Sequence, residues 1–145
     1  MAKWTIRRAD PADAAALTAC IDAAYAKYAG RVTDLPDVSE GIANDIRDHM
    51  VWVALAGDRI VGGLVLVIKE DQAVLANVAV DPIASGSGLG RALIDRAETE
   101  TRQSGLNVLK LTTHAAIPEN IGLYKHFGWR ETGRKGNKVF MEKNL

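Results

Sequence analysis

Three glycines at alternate positions, Gly86, Gly88 and Gly90, separate a β-rich run at residues 73–80 from a helical run at residues 89–104. Glycine lets the backbone turn sharply and lets a ligand approach where a Cβ would collide. The first amides of a helix have no partner within the helix and attract an anion. The segment therefore predicts a strand, a tight turn and a helix, with a phosphate-binding cradle at the turn.

The rest of the chain alternates between helical and β periodicity. Apolar residues at three- and four-residue steps predict a first helix from Asp10-Pro11 to about Ala29, and Ser39 opens a second, shorter helix. A further helix is predicted at residues 119–127. β-rich runs predict strands at residues 3–8, 51–56, 59–68, 73–80, 108–113, 129–135 and 138–143. Hairpins make neighbouring strands antiparallel, whereas a helix between two adjacent strands requires a parallel crossover, so the order predicts an α/β (α+β) sheet of mixed direction.

Composition restricts the class of protein. The chain has 145 residues, 48% hydrophobic and 25% charged, which predicts one globular domain over residues 1–145. Eighteen basic residues offset eighteen acidic ones, so no global field favours nucleic acid or an anionic membrane, and neither partner is expected. The longest apolar run, residues 60–68, is too short to cross a bilayer, and without a secretory signal a cytoplasmic location is expected. Cys20 is the one cysteine and is interpreted as a core thiol, and the three scattered histidines give no metal-ligand spacing.

Two common phosphate-binding motifs do not fit the glycine segment. A dinucleotide fingerprint requires a glycine where this chain has Arg91, and an acidic residue after the next strand. An ATP-binding loop requires Gly-Lys-Ser/Thr, whereas the chain reads Gly90-Arg91-Ala92. These differences argue against a nicotinamide enzyme and an ATPase. On the residues alone, an anion cradle and a purely structural connection both remain open.

A second motif lies further along the chain. Its short predicted helix carries Asn120 and Tyr124 four residues apart, hence on one face, and ends at Gly128-Trp129. With the Val-Ala-Val-Asp-Pro segment at residues 78–82 and the glycine turn, it resembles the GNAT superfamily of acetyl-coenzyme A-dependent N-acetyltransferases over nearly the whole chain. The resemblance implies a mostly antiparallel central sheet of about seven strands, flanked by about four helices and splayed between the fourth and fifth strands.

The resemblance also implies which residues bind the coenzyme. The pantetheine arm would bond the backbone of the fourth strand, the amides of the glycine turn would hold the pyrophosphate, and Asn120 would contact the arm. The implied coenzyme-binding residues are Val78, Val80, Ser85, Gly86, Ser87, Gly88, Leu89, Gly90, Arg91, Asn120 and Tyr124. Ser85 departs from the family, which usually has Gln or Arg there. Affinity is therefore expected to depend on backbone donors and on the positive charge of Arg91.

The expected activity is transfer of an acetyl group from acetyl-CoA to a primary amine by direct attack in a ternary complex. The amine belongs to a small molecule, a peptide or a protein, and no metal is expected. Tyr124 is the candidate catalytic acid, since a phenol stays protonated at neutral pH and can serve the departing thiolate. The general base is left open between a water chain and side chains at Asp45, Asp48, His49 and Glu70.

Two alternatives accompany this interpretation. The first is a catalytically silent GNAT-fold module that binds coenzyme A and acts in regulation or assembly. The second concerns Tyr124, which is also compatible with a purely structural core tyrosine. The closing hairpins of such folds often pair between subunits, so the resemblance is also compatible with a homodimer.

Overall fold

The structure, a computed structural model, describes residues 4–28 and 41–145. Within these residues the strands are β1 (Thr5–Arg8), β2 (Met50–Ala56), β3 (Arg59–Ile68), β4 (Ala73–Val80), β5 (Val108–His114), β6 (Arg130–Lys135) and β7 (Lys138–Asn144). The α-helices are α1 (Ala14–Tyr25), α2 (Ile42–Asp48), α3 (Leu89–Gln103) and α4 (Pro118–His126). Single 3-10 turns occupy Pro11–Asp13, Ala26–Tyr28 and Pro82–Ala84.

The predicted first helix begins as a 3-10 turn at Pro11 and becomes α-helical at Ala14. Asp10 starts it, because its side chain accepts a hydrogen bond from the Ala12 amide at 2.9 Å. The Asp13 carboxylate in turn accepts from the Asp10 amide at 2.8 Å, which completes a reciprocal cap. The predicted end of this helix at residue 29 and the predicted start of the next at residue 39 lie outside the described residues.

One seven-stranded sheet organises the fold, in the order β1-β2-β3-β4-β5-β7-β6. Every neighbouring pair is antiparallel except β4 and β5, which are parallel. α3 connects these two strands, as a parallel crossover requires. The predicted mixed, mostly antiparallel sheet with four flanking helices is therefore confirmed.

β4 and β5 separate soon after they begin. They pair only at Ala73 and Val74 of β4, whereas β4 remains paired with β3 as far as Val80. On the β3 side Ala76 has no pairing partner and forms a bulge, which increases the local bend of a strand. The predicted splay between the fourth and fifth strands is confirmed, and the bulge lies inside it.

Helices pack on both faces of the sheet, and two consecutive glycines in β3 allow their close approach. A Cβ on Gly62 would lie 2.9 Å from Leu89 Cδ2 of α3, and a Cβ on Gly63 would collide with Leu17 of α1. Consecutive strand residues face opposite sides, so the pair makes room on both faces. The apolar core accordingly forms two clusters, one including Leu89, Leu93, Ile94 and Ala97 of α3 and the other including Leu17, Cys20 and Ile21 of α1.

Cys20 is 3% exposed within the α1 cluster, which confirms the predicted core thiol. Burial raises the pKa of this thiol to about 11, so it stays protonated at neutral pH and is a poor nucleophile. In residues 4–28 and 41–145, no three His, Cys, Asp or Glu side chains are grouped so as to hold a metal ion. No helix in the same ranges combines the length and the apolar character needed to cross a bilayer.

Replacing Gly62 with Ala tests how closely α3 packs on β3. The new Cβ would lie 2.9 Å from Leu89 Cδ2 and 3.1 Å from the Ala79 carbonyl oxygen, so the buried Leu89 side chain and the β4 backbone must both give way. We expect the free energy of unfolding in urea to fall by about 1–3 kcal/mol. Gly122→Ala is the matched control, since its Cβ meets nothing within 4 Å, and it should stabilise α4 by about 0.5–1 kcal/mol. Equal effects of the two substitutions would contradict this packing.

Candidate functional site

The outer half of β4 has one open edge. The Asp81 N–H donates to the Val61 carbonyl at 2.8 Å, so the backbone of Asp81 faces β3. Backbone groups of successive strand residues point to alternate sides, so those of Val80 and Val78 point away from β3. Because β5 pairs with β4 only at the first two residues of β4, these groups face the gap between the strands. Among residues 4–28 and 41–145, the backbone donors and acceptors of these two valines of the predicted site have no strand partner.

The glycine turn follows directly from this edge. Asp81 begins it, because its carboxylate accepts from the Ile83 amide at 3.0 Å and lies 3.4 Å from the Arg59 guanidinium. Gly86 and Gly88 then adopt φ of 77° and 84°, left-handed values that disfavour other residues. A Cβ at either position would meet nothing within 4 Å. The turn is therefore open to solvent and shaped by backbone conformation.

The amides of this turn divide into two groups. Those of Ser85 and Ser87 donate to the carbonyls of Pro82 and Ala84, at 3.1 and 3.3 Å, and the Ser87 hydroxyl also donates to Ala84 at 2.6 Å. The amides of these two serines of the predicted cradle are thus already hydrogen-bonded within the turn. In the described part of the chain, no acceptor takes the amides of Gly86, Gly88, Leu89, Gly90 and Arg91. Five N–H groups remain at the N-terminal end of α3, where the helix dipole favours an anion.

The Arg91 side chain makes two contacts that the sequence did not predict. Its guanidinium carbon is 5.0 Å from the centroid of the Phe127 ring, at the end of α4, and its Nε is 4.0 Å from Asp95. The charge therefore lies between α3 and Phe127, the residue that follows α4. Sequence reasoning could not place this contact, because Phe127 is distant along the chain.

Tyr124 lies on α4, one turn after Asn120, so the structure places both on one side of the helix, as predicted. The Tyr124 ring packs edge-to-face on Trp129, with centroids 5.6 Å apart. Burial, with smaller contributions from Tyr25 and Tyr28, raises the pKa of Tyr124 far above its ordinary value. The hydroxyl is thus a protonated hydrogen-bond donor at every physiological pH.

Sequence reasoning missed two aromatic residues near Tyr124. Tyr25 ends α1 and Tyr28 ends the following 3-10 turn, with ring centroids 5.9 Å apart. Tyr28 packs with Ile117, the residue that precedes α4, and Lys27 Nζ lies 5.1 Å from the centroid of the Tyr28 ring. The three tyrosines of the chain thus converge from opposite halves of the sequence. The helical spacing of Tyr25 and Tyr28 was visible, but it indicates only an apolar face.

The candidate bases lie on other parts of the fold. α2 carries Asp45 and Asp48 and packs against α1 and β2. Asp48 pairs with Arg47 at 2.9 Å, and burial raises the pKa of Asp45. His49 directly follows α2, and Glu70 lies in the turn between β3 and β4. The four candidate bases are thus spread over two separate parts of the fold.

Comparison with known families identifies the architecture. The sequence profile described as the acetyltransferase (GNAT) domain matches residues 47–131, more than half of the chain. The chain belongs to the GNAT acetyltransferase family. The matched range includes the open edge of β4, the glycine turn and α4. This confirms the resemblance inferred from the two motifs.

Sequence relatives match over shorter stretches. The chain is 37% identical over 67 residues to the [ribosomal protein bS18]-alanine N-acetyltransferase of Escherichia coli K12, covering 46% of this chain and 45% of that protein. It is 38% identical over 72 residues to an IAA acetyltransferase of Azospirillum brasilense, covering 46% of this chain and 47% of that protein. The chain thus spans about half the length of these curated relatives.

Solved structures share the whole fold at low sequence identity. The PaiA N-acetyltransferase of Thermoplasma acidophilum, solved in complex with coenzyme A, superposes with a TM-score of 0.88 at 20% identity and covers 98% of this chain and 99% of its own. The ribosomal-protein-S18-alanine N-acetyltransferase of Escherichia coli superposes with a TM-score of 0.76 at 22% identity, covering 97% and 93%. At these identities the likeness establishes the fold.

Two partly buried phenols predict how stability depends on alkaline pH. Burial raises the pKa of both Tyr25 and Tyr124 above the ordinary 10.0, so the folded state favours the neutral form. Their contribution is complete below pH 10 and is lost as pH rises beyond it. We expect melting temperatures measured from about pH 8 to about pH 11 to fall less for Tyr124→Phe than for the wild type. Parallel curves for the two proteins would contradict a raised pKa of Tyr124.

Proposed function

We propose that this protein is an acetyl-CoA-dependent N-acetyltransferase that acts on a primary amine. The observation that carries the proposal is the continuity of the open edge of β4 with the five unbonded amides at the start of α3. An extended amide-containing arm fits a strand edge, and a diphosphate fits a helix N-terminus. Coenzyme A has both parts, joined in that order.

The coenzyme-binding residues follow from this fit. Val78 and Val80 would bond the pantetheine arm through their backbone groups, with Asn120 on the opposite side of the gap. Of the residues in the turn, Gly86, Gly88, Leu89, Gly90 and Arg91 would hold the diphosphate through their amides. Ser85 and Ser87 would contribute shape, since their amides already bond within the turn.

Acetyl-CoA supplies an acetyl thioester, and the chain supplies position and hydrogen-bond donors. The backbone N–H of Val78 faces the gap and can donate to an oxygen on which negative charge develops, at no cost of reorganisation. The Tyr124 hydroxyl donates a hydrogen bond to the departing sulfur. Because burial raises its pKa, the phenol keeps its proton and stabilises the thiolate through this hydrogen bond. The proton that the amine loses when the amide forms balances the one that the released thiol gains.

We propose a peptide or protein amine as the acceptor. The first support is the Escherichia coli relative, whose name specifies the alanine amine of ribosomal protein bS18. The second is the aromatic cluster of Tyr25 and Tyr28 beside Tyr124, where the Lys27 ammonium lies over the Tyr28 ring and shows that the cluster accommodates an ammonium group. A panel of short peptides that differ only in their N-terminal residue, compared with small alkylamines, tests this class.

Replacing Gly88 with Val should abolish coenzyme binding. A β-branched residue is strained at φ 84°, and its side chain would occupy the approach to the unbonded amides. We expect calorimetric affinity for acetyl-CoA to fall at least about 100-fold, since the loss removes several charge-assisted hydrogen bonds. Gly136→Val is the matched control, because Gly136 has φ 59° in the turn between β6 and β7. Unchanged affinity in Gly88→Val would refute the location of the cradle.

Replacing Tyr124 with Phe separates catalysis from binding. The ring and its packing on Trp129 remain, while the donor to sulfur is lost. We expect kcat for amine acetylation to fall about 100-fold, with the dissociation constant of acetyl-CoA changed less than about threefold. Thiol release and calorimetry measure the two quantities. A wild-type protein that binds acetyl-CoA but acetylates no amine would instead support the silent binding module.

A further inference from the structure

Trp129 is an almost fully buried residue directly below the site. It is 3% exposed and lies between the end of α4 and the start of β6. Its indole belongs to the buried cluster that also contains Ile121, Val139 and Met141. Well-packed side chains of this kind occupy a single position. Trp129 is thus one of the most rigid elements near the gap.

Two separate contacts join Trp129 to Tyr124. The Trp129 amide donates to the Tyr124 carbonyl at 2.9 Å, which fixes the backbone distance between the two residues. Their rings meet edge-to-face, with centroids 5.6 Å apart and planes inclined at 62°. Gly128 lets the chain turn back toward Tyr124, because its φ of 94° reverses the backbone direction. Its amide donates to the Lys125 carbonyl at 3.0 Å.

The indole nitrogen shows that ring packing sets this position. Within the described residues, Trp129 Nε1 is buried and has no hydrogen-bond partner. Because this nitrogen has no partner among them, no polar contact of the indole holds the ring in place. A buried unpaired donor also costs stability. The packing partners of the indole include the ring of Tyr124. A phenyl ring would keep the edge-to-face contact and remove the unpaired N–H.

We propose that Trp129 is a positioning residue for Tyr124. Its buried indole holds the phenol ring where the hydroxyl can form a hydrogen bond to the departing sulfur. The proposal rests on the function proposed above for Tyr124. A ring fixed on one side restricts rotation of the phenol about its side-chain torsions. Without that ring, the hydroxyl samples positions that are too far from sulfur, and small misplacements of reacting groups lower rates steeply.

A double-mutant cycle tests this coupling. Trp129→Leu is made in the wild type and in Tyr124→Phe, and kcat and the acetyl-CoA dissociation constant are measured for all four proteins. A residue that acts through the hydroxyl has no effect once the hydroxyl is absent. We expect kcat to fall about tenfold in the wild-type background and less than about twofold in the Tyr124→Phe background. Acetyl-CoA affinity should stay within about threefold in both.

Two further variants separate positioning from stability. Trp129→Phe keeps an aromatic ring against Tyr124 and should restore kcat to within about threefold of the wild type. Trp52→Leu is the matched control, because Trp52 is also buried, at 4% exposure, but lies on β2 and stacks with Arg8. We expect it to lower the melting temperature and to change kcat by the same factor in both backgrounds at residue 124. If Trp129→Leu does not fold, Trp129→Met enters the cycle in its place.

The outcomes distinguish this inference from the proposed function. Equal losses of kcat in the wild-type and Tyr124→Phe backgrounds, or no rescue by Trp129→Phe, would overturn the positioning role and leave the acetyltransferase proposal standing. A wild type that acetylates no amine would overturn both. A loss confined to the wild-type background, with rescue by Trp129→Phe, supports the inference.

Discussion

Beyond Val74, β4 keeps its hydrogen bonds to β3 and loses its neighbour on the other side. Such an exposed strand edge within a sheet carries unpaired N–H and C=O groups, which are costly unless something else bonds them. The bulge at Ala76 lies close to the point where β4 and β5 separate. Beyond it, Val78 and Val80 pack on the same side of the sheet as Ala73, the side that α3 covers. The gap, the direction of its free backbone groups and the place where α3 begins all depend on this separation.

The second element of the site is aromatic. Tyr124 lies on α4, Trp129 lies beneath it, and Tyr25 and Tyr28 approach from the end of α1. A phenol in such surroundings resists ionisation, because burial penalises the charged form. The same packing that holds the ring thus keeps its hydroxyl protonated. Catalysis and stability are therefore expected to respond together when these rings are changed.

The local features of the site were predictable from the residues. The glycines at alternate positions predicted the turn and the free amides at the start of α3, and the spacing of Asn120 and Tyr124 predicted a shared helix face. Other features were not predictable. The amides of Ser85 and Ser87 are bonded within the turn, and Arg91 lies on Phe127. These contacts depend on the path of the folded backbone, which no local pattern specifies.

Element types, their order and the two motifs were determined by the sequence alone, because periodicity, glycine conformation and helix spacing act over a few neighbouring residues. The tertiary structure decided which side of β4 was left open and which rings surround Tyr124. It also placed Arg91 against Phe127. Those outcomes join residues from distant parts of the chain, and their free energy comes from burial and packing that exist only after the sheet and its helices have assembled.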